Sequence, residues 1–216
     1  MSPPAITPPA LEAALRLPDF DVQAAWRLMR LIPDVPRDAP PPGVAARRAA
    51  VLVPVYPAGG GLTTVLIRRT PDPGVHSGQI GFPGGALEPG DGSPAAGALR
   101  EAYEEIGLCR ADVRVLGSLA AVYIPPSGFV VTPVIGALGA RPAFHPNPAE
   151  VAGLLELPLA ALLDNTRKRE QEMTLAGVRY RVPYYDVGGE MVWGATALML
   201  AELEGRLRAV LGAWSD

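Results

Sequence analysis

The sequence is poor in cysteine, in net charge and in long apolar runs. Cys109 is the only cysteine among 216 residues, which excludes an internal disulfide and a zinc site made of several thiolates. The formal net charge is only −3, so no basic excess indicates binding to nucleic acid. No segment approaches the roughly 18 consecutive apolar residues of a membrane span, and the N-terminus lacks the pattern of a signal peptide. We therefore expect a cytoplasmic protein, monomeric or homodimeric, that binds neither nucleic acid nor membrane.

Proline and glycine, at 25 and 24 residues, divide the chain into segments. Residues 10–31 are predicted to include a helix, because apolar residues recur there at helical spacing. The proline-rich stretch 33–43 is typical of a linker, since proline lacks the amide donor that regular pairing needs. We therefore predict an N-terminal extension over residues 1–43 and a main domain over residues 44–216.

Strand patterns interspersed with helix patterns predict an α/β fold in which helices cover a sheet. Strands are predicted over residues 49–56, 62–69, 113–124, 129–138 and 179–187. Helices are predicted over 94–107, 159–163 and 193–211. Ser93 and Pro94 are typical of a helix start, and Gly107 is typical of a helix end.

The predicted helix at 94–107 carries three glutamates on one face. Glu101, Glu104 and Glu105 are spaced i, i+3 and i+4, which brings their carboxylates together. Carboxylate oxygens are ligands that Mg²⁺ prefers. The alternative is a solvated, glutamate-rich surface, as on many helices.

A glycine-rich stretch, GQIGFPGGALEPGD at 78–91, lies just before this helix. Glycine lets the backbone approach a ligand closely, and successive amides before a helix N-terminus favour phosphate. The stretch and the helix together therefore favour a metal and phosphate site over a solvated surface.

The residues REAYEEIGL at 100–108 resemble the second half of the Nudix box, with its Arg-Glu-aliphatic-any-Glu-Glu-any-Gly-aliphatic pattern. Counting from Gly85, Asp91 stands where the box has its first glutamate. The loop from Asp91 to Arg100 is one residue longer than usual. The resemblance implies a Nudix α/β/α sandwich, with a mixed β-sheet between helices, and a pyrophosphohydrolase that depends on Mg²⁺ or Mn²⁺.

The segment VLIRRTPDPGVHSGQIGFPGG at 65–85 is similar to the signature before the box in coenzyme A pyrophosphatases. Arg69, Gly78 and the FPGG of residues 82–85 match it, whereas Gly74 stands where a second arginine is expected. The resemblance implies hydrolysis of the diphosphate of coenzyme A or its derivatives to 3′,5′-ADP and 4′-phosphopantetheine. The missing arginine leaves ADP-ribose, dinucleotides or nucleoside triphosphates as alternative substrates. A nucleotide-binding module without catalysis is a further alternative.

The resemblance also implies roles for the carboxylates. Glu101 and Glu105 are expected as the main metal ligands, and Glu104 contributes through an ion or a water. Glu150, on a later loop, is expected as general base or additional ligand, with Glu104 as the competing base. The alternative for Glu150 is an exposed loop carboxylate.

Arg100 is expected to take part in catalysis in a supporting role. It is expected to orient a carboxylate of the glycine-rich loop, either Asp91 or Glu88, and so to fix the loop against the helix.

Four further residues are expected to contact the substrate by resemblance, namely Arg69, His76, Gly84 and Gly85. The alternatives are that Arg69 ends an exposed strand and that His76 is merely solvated. The basic run 167–169 is expected to be a solvated turn, with contact to the 3′-phosphate of coenzyme A as the alternative.

Overall fold

The computed structural model describes residues 4–71 and 78–212, so His76 and Gly74 lie outside the described residues. The α-helices in these ranges are α1 (Pro8–Leu15), α2 (Val22–Arg27), α3 (Pro94–Ile106) and α4 (Gly194–Leu211). The strands are β1 (Arg47–Ala58), β2 (Gly61–Arg69), β3 (Ile80–Gly81), β4 (Gly84–Ala86), β5 (Arg114–Ser118), β6 (Val122–Ile124), β7 (Phe129–Ala137), β8 (Val151–Pro158), β9 (Lys168–Leu175), β10 (Val178–Val187) and β11 (Glu190–Trp193). Short 3₁₀ helices span Arg110–Asp112, Leu159–Leu163 and Asn165–Arg167. Over the ranges described, no helix has the length and apolar character needed to cross a bilayer.

The larger sheet is mixed, because its central pair, β1 and β7, is parallel and its other pairs are antiparallel. Its order is β3-β2-β1-β7-β5, with β4 added to β1, β6 to β7 and β8 to β2. β1 and β2 are joined by a tight turn at Gly59 and Gly60, whose φ angles are +60° and +81°. Hairpin turns of two residues favour glycine, since both positions require positive φ. β9, β10 and β11 form a smaller antiparallel sheet.

Helices cover both faces of the larger sheet. α3 buries Ala98 and Ala102 in the apolar cluster on one face. α4 buries Leu200 and Leu203 in the cluster on the other face. The predicted α/β/α arrangement, with a mixed sheet between helices, is therefore confirmed.

The described part of the N-terminal segment packs against α4. Leu11 of α1 and Trp26 of α2 are fully buried in the same core as α4. The guanidinium carbon of Arg206, on α4, lies 4.6 Å from the centre of the Phe20 ring. These contacts join the segment to the sheet and helix core, and the boundary proposed between residues 43 and 44 stays a prediction.

The helix expected within residues 10–31 is present as α2, and α1 precedes it along the chain. Asp21 begins α2, because its Oδ1 accepts a hydrogen bond from the Ala24 amide at 2.9 Å. The stretch 33–43 has no helix or strand, as expected for a proline-rich segment. It is nevertheless held to the fold, since the side chain of Arg37 is buried.

Strand β9 is not indicated by the sequence pattern, because polar and charged residues occupy both of its faces. Its basic residues form ion pairs within the fold. Lys168 pairs with the buried carboxylate of Glu204 on α4, and Arg169 lies 3.1 Å from Asp186. The solvated turn expected at 167–169 is therefore wrong: the run joins a 3₁₀ helix to a paired strand.

Because the N-terminal segment shares the core, two leucine-to-alanine substitutions within it are predicted to differ in their effect on the free energy of unfolding. Leu11→Ala removes a fully buried side chain and is expected to lower the free energy of unfolding by about 2–5 kcal/mol. Leu28→Ala removes a side chain that is 55% exposed, and its cost is expected within about 0.5 kcal/mol. Urea unfolding followed by circular dichroism measures both. Equal effects, or separate transitions for the segment and the sheet, would contradict the shared core.

Candidate functional site

Helix α3 is fixed at both ends by its own sequence. The Ser93 hydroxyl accepts a hydrogen bond from the Ala96 amide at 3.1 Å, and Pro94 occupies the first turn, where its missing donor costs nothing. Gly107 ends the helix with a left-handed φ of +70°. The apolar face of α3 lies on the sheet, so the remaining faces present the glutamates.

The three glutamates of α3 differ in exposure. The side chain of Glu105 is 1% exposed, that of Glu101 is 16% exposed and that of Glu104 is 49% exposed. Glu101 and Glu105 therefore face inward beside the glycine-rich loop, whereas Glu104 lies at the surface.

Glu105 is held by the backbone of Gly84 and by Arg69. The Gly84 amide donates to Glu105 Oε2 at 2.7 Å, and Arg69 Nη2 lies 3.3 Å from Glu105 Oε1. Arg69 also donates to the Gly84 carbonyl at 2.7 Å. Burial raises the pKa of Glu105 to about 7, although Arg69 and the Gly84 amide both lower it. The negative charge of this carboxylate is thus only partly compensated by the chain.

Glycine is required at position 84 of the loop, and at position 85 its lack of a side chain leaves room for a carboxylate. A Cβ on Gly84, whose φ is +154°, would lie 2.3 Å from the carbonyl oxygen of Ala50. A Cβ on Gly85 would lie 2.6 Å from Glu101 Oε2. The loop backbone therefore packs directly on the carboxylate of Glu101. Burial raises the pKa of Glu101, and Arg100 opposes that shift.

Arg100 connects the glycine-rich loop to the helix. Its Nε and Nη2 donate to the two carboxylate oxygens of Asp91 at 3.0 and 3.1 Å, and Nη2 also donates to the Ala86 carbonyl at 3.0 Å. Hydrogen bonds from Arg100 hold the pKa of Asp91 below its ordinary value. Glu88 is farther away, with 3.8 Å between its Oε1 and Arg100 Nη1. Of the two expected partners, Asp91 is therefore the one that Arg100 binds closely.

Arg100 also contacts two of the helix glutamates. Its Nη1 donates to Glu101 Oε1 at 2.9 Å and to Glu104 Oε2 at 3.0 Å. The arginine thus compensates part of the repulsion between the two carboxylates.

Gly97 has a structural role that was not predicted from the sequence. A Cβ on this residue would lie 2.4 Å from Leu87 Cδ2 and 2.9 Å from Asp91 Oδ2. The absence of a side chain therefore lets the loop close on the helix. A glycine inside an otherwise strong helical pattern, where it costs about 1 kcal/mol relative to alanine, was the available signal.

Glu150 lies on the loop before β8, and its charge is close enough to Glu105 to raise the pKa of that residue. The Glu150 carbonyl accepts from the Thr70 amide at 3.0 Å. Asn147, which the sequence reading also missed, donates from Nδ2 to Glu150 Oε1 at 3.2 Å. The Asn147 amide in turn donates to the Glu105 carbonyl at 2.8 Å. One asparagine therefore links the loop that carries Glu150 to the end of α3.

The donor set fits a metal ion that is held only partly by protein. Among the residues that the structure describes, no three acidic, histidine or cysteine side chains converge on one point. Mg²⁺ is commonly bound by one or two carboxylates, with waters and substrate phosphates as its remaining ligands. The inward-facing carboxylates of Glu101 and Glu105 meet that requirement, and Mn²⁺ accepts the same oxygen ligands.

Comparisons with known proteins agree on one family. The family model described as NUDIX domain matches residues 46–175. An uncharacterized Nudix hydrolase, NudL, of Pectobacterium atrosepticum is 42% identical over 163 residues, which cover 73% of this chain and 81% of that protein. NudL of Photorhabdus laumondii, also described as an uncharacterized Nudix hydrolase, is 38% identical over 157 residues, covering 73% and 83%. The crystal structure of the Nudix hydrolase RenU from M. smegmatis superposes with a TM-score of 0.51 at 22% identity, covering 79% of this chain and 89% of that one.

The burial of Glu105 predicts a pH dependence of stability in metal-free protein. With a folded pKa of about 7, the folded state keeps a proton that the unfolded chain releases near pH 4.5. This group therefore stabilises the fold fully below about pH 4.5, and the contribution is lost as the pH rises to about 7. The loss is on the order of 3 kcal/mol.

Urea unfolding from pH 4.5 to 8 with a chelator present tests this dependence. The difference between wild type and Glu105→Gln isolates the residue, and Glu104→Gln at the surface serves as the matched control. The stability of wild type should fall with rising pH relative to Glu105→Gln. Parallel profiles for these two proteins would show that Glu105 is ionised normally.

Proposed function

The chain belongs to the NUDIX domain family, and from that membership we propose that it hydrolyses the diphosphate of coenzyme A or its derivatives to 3′,5′-ADP and 4′-phosphopantetheine. Nudix hydrolases cleave small-molecule diphosphates and generally use divalent metal ions, and these coarser properties apply to this chain. Beyond these family properties, we propose the coenzyme A substrate, the roles of the residues and a cytoplasmic location. The single Cys109 suits a reducing compartment.

One observation carries the proposal: two carboxylates, Glu105 fully buried and Glu101 largely buried, lie against the backbone of a glycine-rich loop. Glu101 meets Gly85, and Glu105 accepts a hydrogen bond from Gly84. Both carboxylates would hold the divalent ion, which supplies positive charge that offsets the charge of the diphosphate. The sequence at 65–85, which resembles the coenzyme A pyrophosphatase signature, supports the choice of substrate.

The side chains of this chain divide the remaining work. The water oxygen forms a bond to one phosphorus, the bridging phosphorus–oxygen bond breaks, and the proton of the water passes to a general base. Glu150 and Glu104 are both exposed. We assign the base to Glu150, because its charge acts on Glu105, whereas Glu104 is hydrogen-bonded to Arg100. Arg69 holds Gly84 through the carbonyl of that residue, and we assign to it a contact with a phosphate oxygen as well. Arg100 acts by fixing the loop through Asp91.

One observation in the sequence supports an alternative class of substrates. Gly74 stands where the coenzyme A signature has an arginine, which removes a cation expected near the substrate. ADP-ribose, dinucleotides and nucleoside triphosphates contain the same phosphoanhydride and remain the alternatives.

The substrate proposal is tested by turnover on a panel with Mg²⁺ or Mn²⁺. The panel contains coenzyme A, an acyl-coenzyme A, ADP-ribose, a diadenosine polyphosphate and ATP, and mass spectrometry identifies the products. We expect 3′,5′-ADP and 4′-phosphopantetheine from coenzyme A at the highest kcat/KM. Cleavage of ADP-ribose with coenzyme A untouched would reject the proposed substrate, and binding of nucleotides without any cleavage would indicate a binding module.

The carboxylate roles predict a graded series of variants. Glu105→Gln should lower metal-dependent kcat at least about 100-fold, since it removes a charge that holds the ion. Glu150→Gln should lower kcat about 10²–10⁴-fold if it is the general base, and should remove the acidic limb of the pH profile. Glu104→Gln should cost less than about tenfold.

Glu172→Gln, on exposed strand β9, is the control for substituting a glutamate. Circular dichroism of each variant shows whether it is folded. Full activity of Glu105→Gln would contradict the assignment of Glu105 as a metal ligand. A larger loss of kcat in Glu104→Gln than in Glu150→Gln would indicate Glu104 as the general base.

A further inference from the structure

A cavity of about 550 Å³ lies beside the proposed active site. It is open to solvent and bordered by the starts of β1 and β7 and by the loop that leads into α3. Its walls include Arg47, Arg48, Leu87, Glu88, Ser93 and Phe129, and we call it the arginine cavity. Its volume is within the range of small-molecule sites.

The arginine cavity and the proposed active site share one loop. Ala86 lines the cavity, and the residue before it, Gly85, lies against Glu101. Consecutive Cα atoms are about 3.8 Å apart, so the two places are neighbours. Arg100 fixes this loop through Ala86 and Asp91. The cavity and the carboxylate of Glu101 are also connected through Arg100, which donates to Glu101 and to the Ala86 carbonyl.

The balance of charge in the cavity favours an anion. Its two arginines face two acids, but the charge of Asp91 is already paired with Arg100 through two hydrogen bonds. Glu88 is largely exposed. The start of α3 also lines the cavity at Ser93 and adds the partial positive charge of a helix N-terminus.

The two arginines are arranged differently. Arg47 is fixed, because it donates to the Ser127 carbonyl at 2.9 Å and its guanidinium lies 4.0 Å from the centre of the Phe129 ring. Arg48 is exposed and, over the described part of the chain, makes no hydrogen bond or ion pair through its guanidinium. Ala50 and Leu52 point toward α3, and the two-residue period of a strand places Arg48 on that same face. Its planar fork of donors suits a phosphate.

Three other cations of the described residues are already engaged in ion pairs. In the basic run, Lys168 pairs with Glu204 and Arg169 with Asp186. Arg68 pairs with Glu190.

We propose that the arginine cavity binds a phosphate monoester on the nucleoside end of the substrate, with Arg48 as its ligand. Leu87 and Phe129 supply apolar surface for the nucleoside. This inference rests on the proposed function and deepens it: the cavity selects coenzyme A, which has a 3′-phosphate, over dephospho-coenzyme A, which lacks one.

Steady-state kinetics on these two substrates test the inference. Arg48→Ala should raise KM for coenzyme A at least about tenfold and leave KM for dephospho-coenzyme A within about twofold, since a lost charged hydrogen bond to phosphate costs about 1.5–3 kcal/mol. Arg48→Lys should retain part of the selectivity. Arg179→Ala, an exposed arginine on β10, is the matched control and should change neither KM. Equal effects of Arg48→Ala on both substrates, or no effect, would overturn the proposal.

A binding experiment separates this proposal from the choice of reaction. Calorimetry compares 3′,5′-ADP with AMP on wild type and on Arg48→Ala. In one outcome, wild type binds 3′,5′-ADP more tightly than AMP, with the preference lost in Arg48→Ala, and yet cleaves neither coenzyme A nor its dephospho form. That result would support the phosphate site in the cavity and reject the proposed substrate. If wild type shows no preference, or Arg48→Ala keeps it, the cavity proposal fails whatever the reaction is.

Discussion

The bidentate pair between Arg100 and Asp91 holds the glycine-rich loop on the helix that carries the glutamates. The same guanidinium also binds the Ala86 carbonyl and two carboxylates of α3. One side chain, itself only 13% exposed, therefore sets the distance between the loop backbone and the carboxylates. Without Arg100, the carboxylate of Asp91 on the loop would face the helix carboxylates with no cation between them. Both the proposed metal site and the neighbouring cavity depend on the contact between loop and helix.

Burial of a carboxylate is unfavourable unless a cation or hydrogen bonds compensate it. Glu105 receives one amide and one arginine at 3.3 Å, and its raised pKa indicates that this is not enough. The incomplete compensation is the physical basis for proposing a divalent ion there. Glu204 on α4 is equally buried but receives an arginine, a lysine and a tyrosine hydroxyl. Glu204 therefore belongs to a structural ion cluster, whereas Glu105 belongs to a site that lacks positive charge.

Local signals were sufficient for the elements that carry the chemistry. Ser93, Pro94 and Gly107 indicated the limits of α3, and helical periodicity grouped its glutamates on one side. Periodicity alone does not tell which glutamate is buried, because that depends on where the backbone of Gly84 and Gly85 lies. The residue roles, and the boundary at residues 43 and 44, remain predictions.

The parts that the sequence did not indicate depend on contacts between distant segments. β9 carries polar residues on both faces, and α4 and β10 offer partners for two of its charges. Gly97 and Asn147 matter through the loops that they touch. A glycine inside a helical pattern was a local signal for Gly97, whereas no local pattern indicates Asn147. The cavity forms where β1, β7 and the loop before α3 meet, so Arg48 looks like an ordinary surface arginine in the sequence.

The packing of α1 and α2 on α4 has a consequence for the order of assembly. These helices are separated by nearly the whole length of the fold, and contacts of such long range form late, because closing a large loop costs entropy. During synthesis, Leu11 and Trp26 leave the ribosome long before the surface that covers them exists. The apolar side chains of α1 and α2 therefore lack this part of their packing until α4 has been synthesised, and apolar surface that is exposed in this way makes a growing chain prone to aggregate.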